Sequence, residues 1–353
     1  MNRRTFLATM SSLATLEAAP VLAAGGNAKG RSTSSSPPRK VIVGTAMQSF
    51  WGQYPGLHNR LDQLAGIVDQ MAVEAKKKYG RSLDLAVLPE TAITGEAEGD
   101  ALARSVPFEG QVQDIFTRKA RENGCYIVVP TYLLDSREKK LCSNAAILVG
   151  RKGDVVGTYR KIHLVVSLDG GTMEGGATPG DALPVFECDF GKLGIQICYD
   201  MEFGGGWTEL ARKGAELIAW PTQSPQTSQP AFRAKENRCY IVSSTWRHNA
   251  SIFEPTGKIA AQITPPQSSL VHELDLSYAL LPWSSKLRNG QALRQSYGDK
   301  VGFHYYEDED CGIFWSNDPK TTIGEMVRAI GVLELEDEMA RVREFYRKAK
   351  VRK

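Results

Sequence analysis

Three apolar runs in this chain end in residues able to do covalent chemistry. Leu193-Gly194-Ile195-Gln196-Ile197 leads straight into Cys198, with Tyr199 and Asp200 behind it. A thiol at the mouth of a strand meets substrate, and nearby backbone N–H groups at a helix start favour its thiolate. Leu85-Ala86-Val87-Leu88-Pro89 delivers Glu90, a carboxylate placed to act as a general base. Gly157-Thr158-Tyr159-Arg160 delivers Lys161, whose ammonium could steady a developing oxyanion. Each segment alone has a plainer reading: a structural thiol, a solvated loop acid, a surface base. Together they supply a base, an oxyanion stabiliser and a nucleophile, the set that covalent acyl transfer needs.

The elements that must position these groups alternate along the chain. Val41 to Ala46 reads as a strand, and Leu61, Leu64, Ile67, Val68, Met71 and Ala75 then recur at helical spacing. Leu85–Leu88 and Cys125–Pro130 are further strands, with a helix over 110–121 between them. Asn144–Val149 and Val155–Tyr159 flank a turn rich in Gly and charge, a hairpin signal. Strands at 193–197, 217–220 and 240–244 alternate with helices near 207–213 and 232–238. This rhythm predicts an α/β layered fold with helices covering sheet faces, and functional groups collect at strand ends in such folds. From Pro282 to Trp315 the rhythm is lost, and a single long charged helix is expected over 326–349.

Composition sets the outer limits. The 353 residues are 42% hydrophobic and 24% charged with a formal net charge of +3, which excludes a disordered chain, a collagen-like fibre and a coiled coil. The charges are interspersed without a basic stripe, so no nucleic-acid partner is expected. Arg3-Arg4, a short apolar run and Ala23-Ala24 describe an export signal over residues 1–24, and the paired arginines point to the twin-arginine route. That run is too short, and too rich in Ala, Ser and Thr, to span a bilayer comfortably, so no membrane association is expected after its removal. The expected location is the periplasm or beyond. Residues 25–40, rich in Gly, Ser and Pro, read as a flexible linker. Six cysteines without a C-x-x-C pair and five scattered histidines support no structural zinc, and Cys125 and Cys239 read as buried core thiols.

Leu88-Pro89-Glu90, Tyr159–Leu164 and Gly194–Asp200 resemble the three signature blocks of the nitrilase superfamily, the carbon–nitrogen hydrolases. The similarity runs from about Val41 to about Asp275, with further matches at Gly214–Ile218, Arg233–Arg238 and Pro255-Thr256-Gly257. It implies an αββα sandwich over a domain at 41–280, leaving a C-terminal extension at 281–353. It also implies homodimers or larger homo-oligomers, and a mechanism that requires no metal or organic cofactor. A second glutamate is implied between the lysine and the cysteine. Glu174, just before Thr178-Pro179-Gly180-Asp181, occupies that position.

The resemblance casts Glu90 as general base and Cys198 as nucleophile. Lys161 and the backbone N–H of Tyr199 would hold the oxyanion, and Glu174 would orient Lys161 and the substrate. The substrate expected is a small amide or N-carbamoyl compound, because Tyr199-Asp200 replaces the Trp-Glu pair of nitrile-cleaving members. Nitrile hydrolysis and a catalytically silent exported binding protein are the alternatives. Phe203 precedes Gly204-Gly205-Gly206 where amidases continue with Phe-Pro-Glu, which alters the loop beside the nucleophile. A papain-like site would need a histidine partner, and only His163 lies near a motif, inside the lysine block. Trp246 and Arg247 either line the pocket or end a strand. Tyr305–Asp310 is an acidic patch that reads as a solvated loop or a cation-binding surface.

Overall fold

The computed structural model describes residues 33–168 and 170–351, so the export signal expected over 1–24 lies outside the described residues. Short β-branched runs build two six-stranded sheets. The first contains β1 (Lys40–Ala46), β2 (Leu85–Val87), β3 (Tyr126–Ser136), β4 (Leu141–Val149) and β5 (Val155–Arg160). The second contains β6 (Val185–Cys188), β7 (Gly191–Ile195), β8 (Leu217–Pro221), β9 (Tyr240–Ser244), β10 (Ser251–Phe253) and β11 (Ile259–Gln262). A later strand, β12 (Ser269–Asp275), returns to pair antiparallel with β1. The orders are β12-β1-β2-β3-β4-β5 and β11-β10-β9-β8-β7-β6. Each sheet has a parallel centre, β1-β2-β3 in one and β7-β8-β9 in the other, so the catalytic strand ends point the same way within their sheets.

The alternation of side chains along each strand divides the core into layers. Val41, Val43, Leu85, Val87 and Val128 face Leu193, Ile195, Leu217, Ala219 and Val242 between the sheets. Ile42, Ala86, Ile127 and Val129 face outward onto α1 (Leu57–Tyr79) and, after the short α2 (Ala101–Arg104), onto α3 (Gln111–Asn123). Ile218, Trp220 and Ile241 face α4 (Gly204–Arg212) and α5 (Ser228–Asn237). The architecture is the expected αββα sandwich. Its two sheets meet at a parallel bridge between Met47 and Thr245.

The chain beyond this sandwich is more regular than its pattern suggested. A third sheet, β13 (Tyr278–Pro282), β14 (Val301–Tyr306) and β15 (Cys311–Ser316), packs with α6 (Gln291–Tyr297) over Ala279, Leu281 and Phe314. Its other face adds Leu280 and Ile313 to the core between the main sheets. The single helix expected over 326–349 is two, α7 (Ile323–Ala329) and α8 (Leu335–Val351). Gly331 breaks it at φ 67°, a left-handed conformation that glycine adopts without penalty. Ile323, Met326, Val327 and Val332 bury within the chain's own core, while Leu333 remains exposed.

Of the stretch expected to be a linker, residues 33–40 are described, and they are tied down. Thr33 Oγ1 donates to the Tyr278 carbonyl at 3.2 Å, Arg39 forks onto both oxygens of Glu216, and Lys40 opens β1. The acidic patch is likewise engaged: Asp308 and Glu309 pair with Lys258, and Glu309 also with Lys235. All six cysteines are free thiols, and Cys125 and Cys239 are buried. No helix among the described residues is long and apolar enough to cross a membrane.

Candidate active site

The ends of β2, β5 and β7 bring Glu90, Lys161 and Cys198 together, with Glu174 reaching in from the loop after β5. Lys161, only 1% exposed, donates from Nζ to Glu90 Oε1 at 3.0 Å and to Glu174 Oε1. Burial alone would lower this ammonium. Glu90, the Cys198 sulfur and Glu174 outweigh it and hold Lys161 well above its ordinary value. Lys161 therefore stays charged.

Cys198 opens a 3-10 turn, Cys198–Glu202, at φ 43°. A left-handed conformation in a residue with a Cβ is strained and turns the side chain sharply off the strand. Thr222 and the Gln223 N–H hydrogen-bond to the sulfur, while the Cys198 carbonyl accepts from Trp220 Nε1 at 3.1 Å. Burial, and next the Glu90 carboxylate, push the thiol up to about 12, against the pull of Lys161 and those hydrogen bonds. The proton accordingly rests on sulfur beside a carboxylate. Glu90 Oε2 is buried and has no hydrogen-bond partner among the described residues. Tyr199 follows in the first turn, whose leading N–H groups find no acceptor within the turn.

Two supports were not recognised as such in the sequence. Asn144, in the middle of an apolar strand, donates from Nδ2 to Glu90 Oε1 at 2.9 Å and to Glu174 Oε2 at 3.0 Å. Its carbonyl accepts the Lys161 backbone N–H at 2.8 Å, so one residue contacts both carboxylates and the main chain that carries the ammonium. A polar side chain inside Asn144-Ala145-Ala146-Ile147 was the available signal. Asp200, fully buried, accepts from Tyr159 Oη at 2.7 Å, from Ile197 N at 3.0 Å and from His163 N at 2.9 Å, fixing the turn behind Cys198. His163 is spoken for by this network: Nδ1 lies 2.9 Å from Asp200 Oδ1 and its ring stacks on Phe203 at 3.9 Å.

The two candidate pocket residues have different places. Trp246 is a buried prop, donating from Nε1 to the Glu90 carbonyl at 2.8 Å. Arg247 is exposed, with its guanidinium 5.6 Å from the Trp51 ring. Two members of the triple glycine lie close to other side chains, and the third, Gly205, faces open space. A Cβ at Gly206 would meet Gln196 Oε1 at 2.8 Å, and one at Gly204 would meet Arg233 Nη1 at 2.7 Å. The start of α4 thus lies against Gln196, just past β7, and against α5.

Residues 51–280 match the carbon–nitrogen hydrolase family. Human deaminated glutathione amidase is 29% identical over 221 residues, covering 55% of this chain and 67% of that protein. A nitrilase of Pyrococcus abyssi is 33% identical over 185 residues, covering 50% of this chain and 66% of its own length. The crystal structure of Saccharomyces cerevisiae Nit3, a member of branch 10 of the nitrilase superfamily, superposes with a TM-score of 0.56 at 20% identity, covering 74% of this chain and 95% of that one. An amidase from Nesterenkonia sp. superposes with a TM-score of 0.56 at 21% identity, covering 66% of this chain and 90% of that one. These solved structures share the fold. This chain belongs to the carbon–nitrogen hydrolase family and is an enzyme for C–N bonds other than peptide bonds.

Proposed function

We propose that this protein is a cysteine-dependent hydrolase of small amides or N-carbamoyl compounds, working through a thioester on Cys198. The observation that carries this reading is the unpartnered, buried Glu90 Oε2 beside a protonated thiol, with Lys161 held charged between two carboxylates. As Sγ attacks the carbonyl carbon, its proton passes to Glu90. Lys161 Nζ and the Tyr199 N–H steady the oxyanion. The tetrahedral species collapses, Glu90 returns the proton to the departing nitrogen, and ammonia or an amine leaves. Water then adds to the thioester with Glu90 as base, releasing the acid and restoring the thiol. Glu174 and Asn144 hold Lys161 and Glu90 in place throughout.

The names of relatives support amide cleavage, and Tyr199-Asp200 favours it over nitriles. The Pyrococcus nitrilase keeps the nitrile reading in the test. We further propose export by the twin-arginine route, on the strength of Arg3-Arg4 and the Ala-rich run that follows. Assembly with a second copy is proposed from the exposed Val165, Val166 and Leu168 near Glu174. The experiment is ammonia or amine release from a panel of amides, N-carbamoyl amino acids and nitriles, run beside Cys198→Ala. Release from amides or N-carbamoyl compounds by the native enzyme alone is expected. Undiminished release by Cys198→Ala, or silence across the panel with Cys198 inert to alkylation, would overturn the reading.

A further inference from the structure

A cavity of about 440 Å³ opens beside the loop after β1 and the first turns of α1. That volume lies within the range of small-molecule sites, roughly 300–1,000 Å³. Its polar lining is almost entirely uncharged: Gln48, Gln53, Gln63 and Gln70, with the Trp51 and Phe50 rings as an apolar wall. The exception is Arg60. This arginine is 3% exposed, and no carboxylate forms an ion pair with it among the described residues. It donates from Nη1 to the Ala92 carbonyl at 3.0 Å and from Nε to Gln63 Oε1 at 3.1 Å. Its guanidinium lies over Phe50 at 4.3 Å and Tyr54 at 5.6 Å. Glu96 is the acid whose charge reaches it, without ion-pair contact.

A buried cation held only by neutral groups keeps its field, because carbonyls and ring faces solvate it without cancelling its charge. A second cation, Arg247, lies 5.6 Å from the ring of Trp51, which lines the cavity and is exposed. The lining holds no acidic residue. We infer that this cavity binds a small organic carboxylate, with Arg60 as its counter-ion and Trp51 and Phe50 against its carbon skeleton. A planar carboxylate matches the guanidinium fork, and a flat aromatic wall suits the rest. The site is independent of the chemistry at Cys198, yet it adjoins the scaffold of Glu90. Trp246, which holds the Glu90 carbonyl, meets the edges of Phe50 and Trp51 at 5.5 and 5.9 Å. The carboxylate is either the remote end of the substrate or a separate acid.

The test uses the full chain carrying Cys198→Ala, titrated calorimetrically with benzoate, and with benzyl alcohol as the uncharged counterpart. Saturable one-to-one binding of benzoate is expected, with none of benzyl alcohol. Arg60→Gln should weaken it by about tenfold or more, the value of a charged hydrogen bond. Because a buried arginine also supports the fold, Gln63→Glu is the second arm. It leaves Arg60 in place and sets a carboxylate on its Nε from an exposed position, so benzoate should again bind about tenfold more weakly. Absence of saturable binding, or binding unmoved in Gln63→Glu, overturns the inference whether or not the enzyme proves to be an amidase. In the active enzyme, succinamate and propionamide separate the two sources. If the substrate's own carboxylate occupies the site, Gln63→Glu raises KM for succinamate alone. If a separate acid does, both KM values hold while benzoate binding is still weakened.

Discussion

At the scale of single residues, the account turns on the proton of Cys198. Burial and the Glu90 carboxylate push the thiol up to about 12, so the enzyme rests with its proton on sulfur rather than as a free thiolate. Glu90 raises the thiol by repelling its thiolate form, and removing that charge must therefore lower it. Glu90→Gln is expected to bring the pH midpoint of Cys198 alkylation by iodoacetamide down from about 12 while kcat falls by roughly 10²–10⁴. A midpoint that stays or rises would mean that Glu90 does not face the sulfur. Glu90, Lys161 and Cys198 were legible because each terminates an apolar run, and Glu174 because of its place before Thr178-Pro179-Gly180-Asp181. Asn144 carried no such mark. Its role depends on which strands become neighbours, and a polar residue within a strand gives no indication of what lies across from it.

At the scale of elements, strand ends from both sheets share one charge balance. Asn144 of β4 presents one amide group to the carboxylates of two different loops, while its backbone anchors Lys161, the residue that follows β5. The neutral donor offsets part of the repulsion between Glu90 and Glu174 that Lys161 alone would have to meet. Asn144→Asp places a third carboxylate there and removes the donor. It is expected to lower kcat about tenfold or more and to reduce stability by about 2–3 kcal/mol, with Asn144→Ala less damaging on both counts. Steady-state kinetics and urea unfolding of the pair check this ranking, and an Asp variant milder than Ala would contradict it. The core strands and helices were readable from periodicity. The broken terminal helix was not, because α7 and α8 both continue the charged, periodic pattern across the short irregular stretch at 330–334 that contains Gly331. The triple glycine was an oddity in the sequence, and two of its members, Gly204 and Gly206, prove to lie against the side chains of Arg233 and Gln196.

At the scale of the whole molecule, the C-terminal sheet is fastened to the sandwich across a polar seam. Glu254, after β10, meets His304 Nδ1 at 3.1 Å and the Thr256 hydroxyl at 2.8 Å. His272 of β12 lies nearby, and burial first, then the Lys78 ammonium and His304, lower it from 6.5 to about 4 against Glu254 and Glu273. A histidine held neutral in the fold binds its proton more readily when unfolded. Its contribution to stability is full above about pH 6.5 and is lost as the pH falls from there toward 4. The native protein should lose on the order of 2 kcal/mol more than His272→Gln between pH 7.5 and 4.5 in urea unfolding; parallel curves would contradict this. This seam escaped the sequence reading because its partners are far apart in the chain and carry no shared pattern. The most direct test of the central claim weighs the intact chain during turnover. Acid-quenched enzyme with a slowly hydrolysed amide should gain the mass of the acyl group on the Cys198 peptide, removable by hydroxylamine and absent from Cys198→Ala. Turnover without that adduct, continuing in Cys198→Ala, would contradict the thioester mechanism.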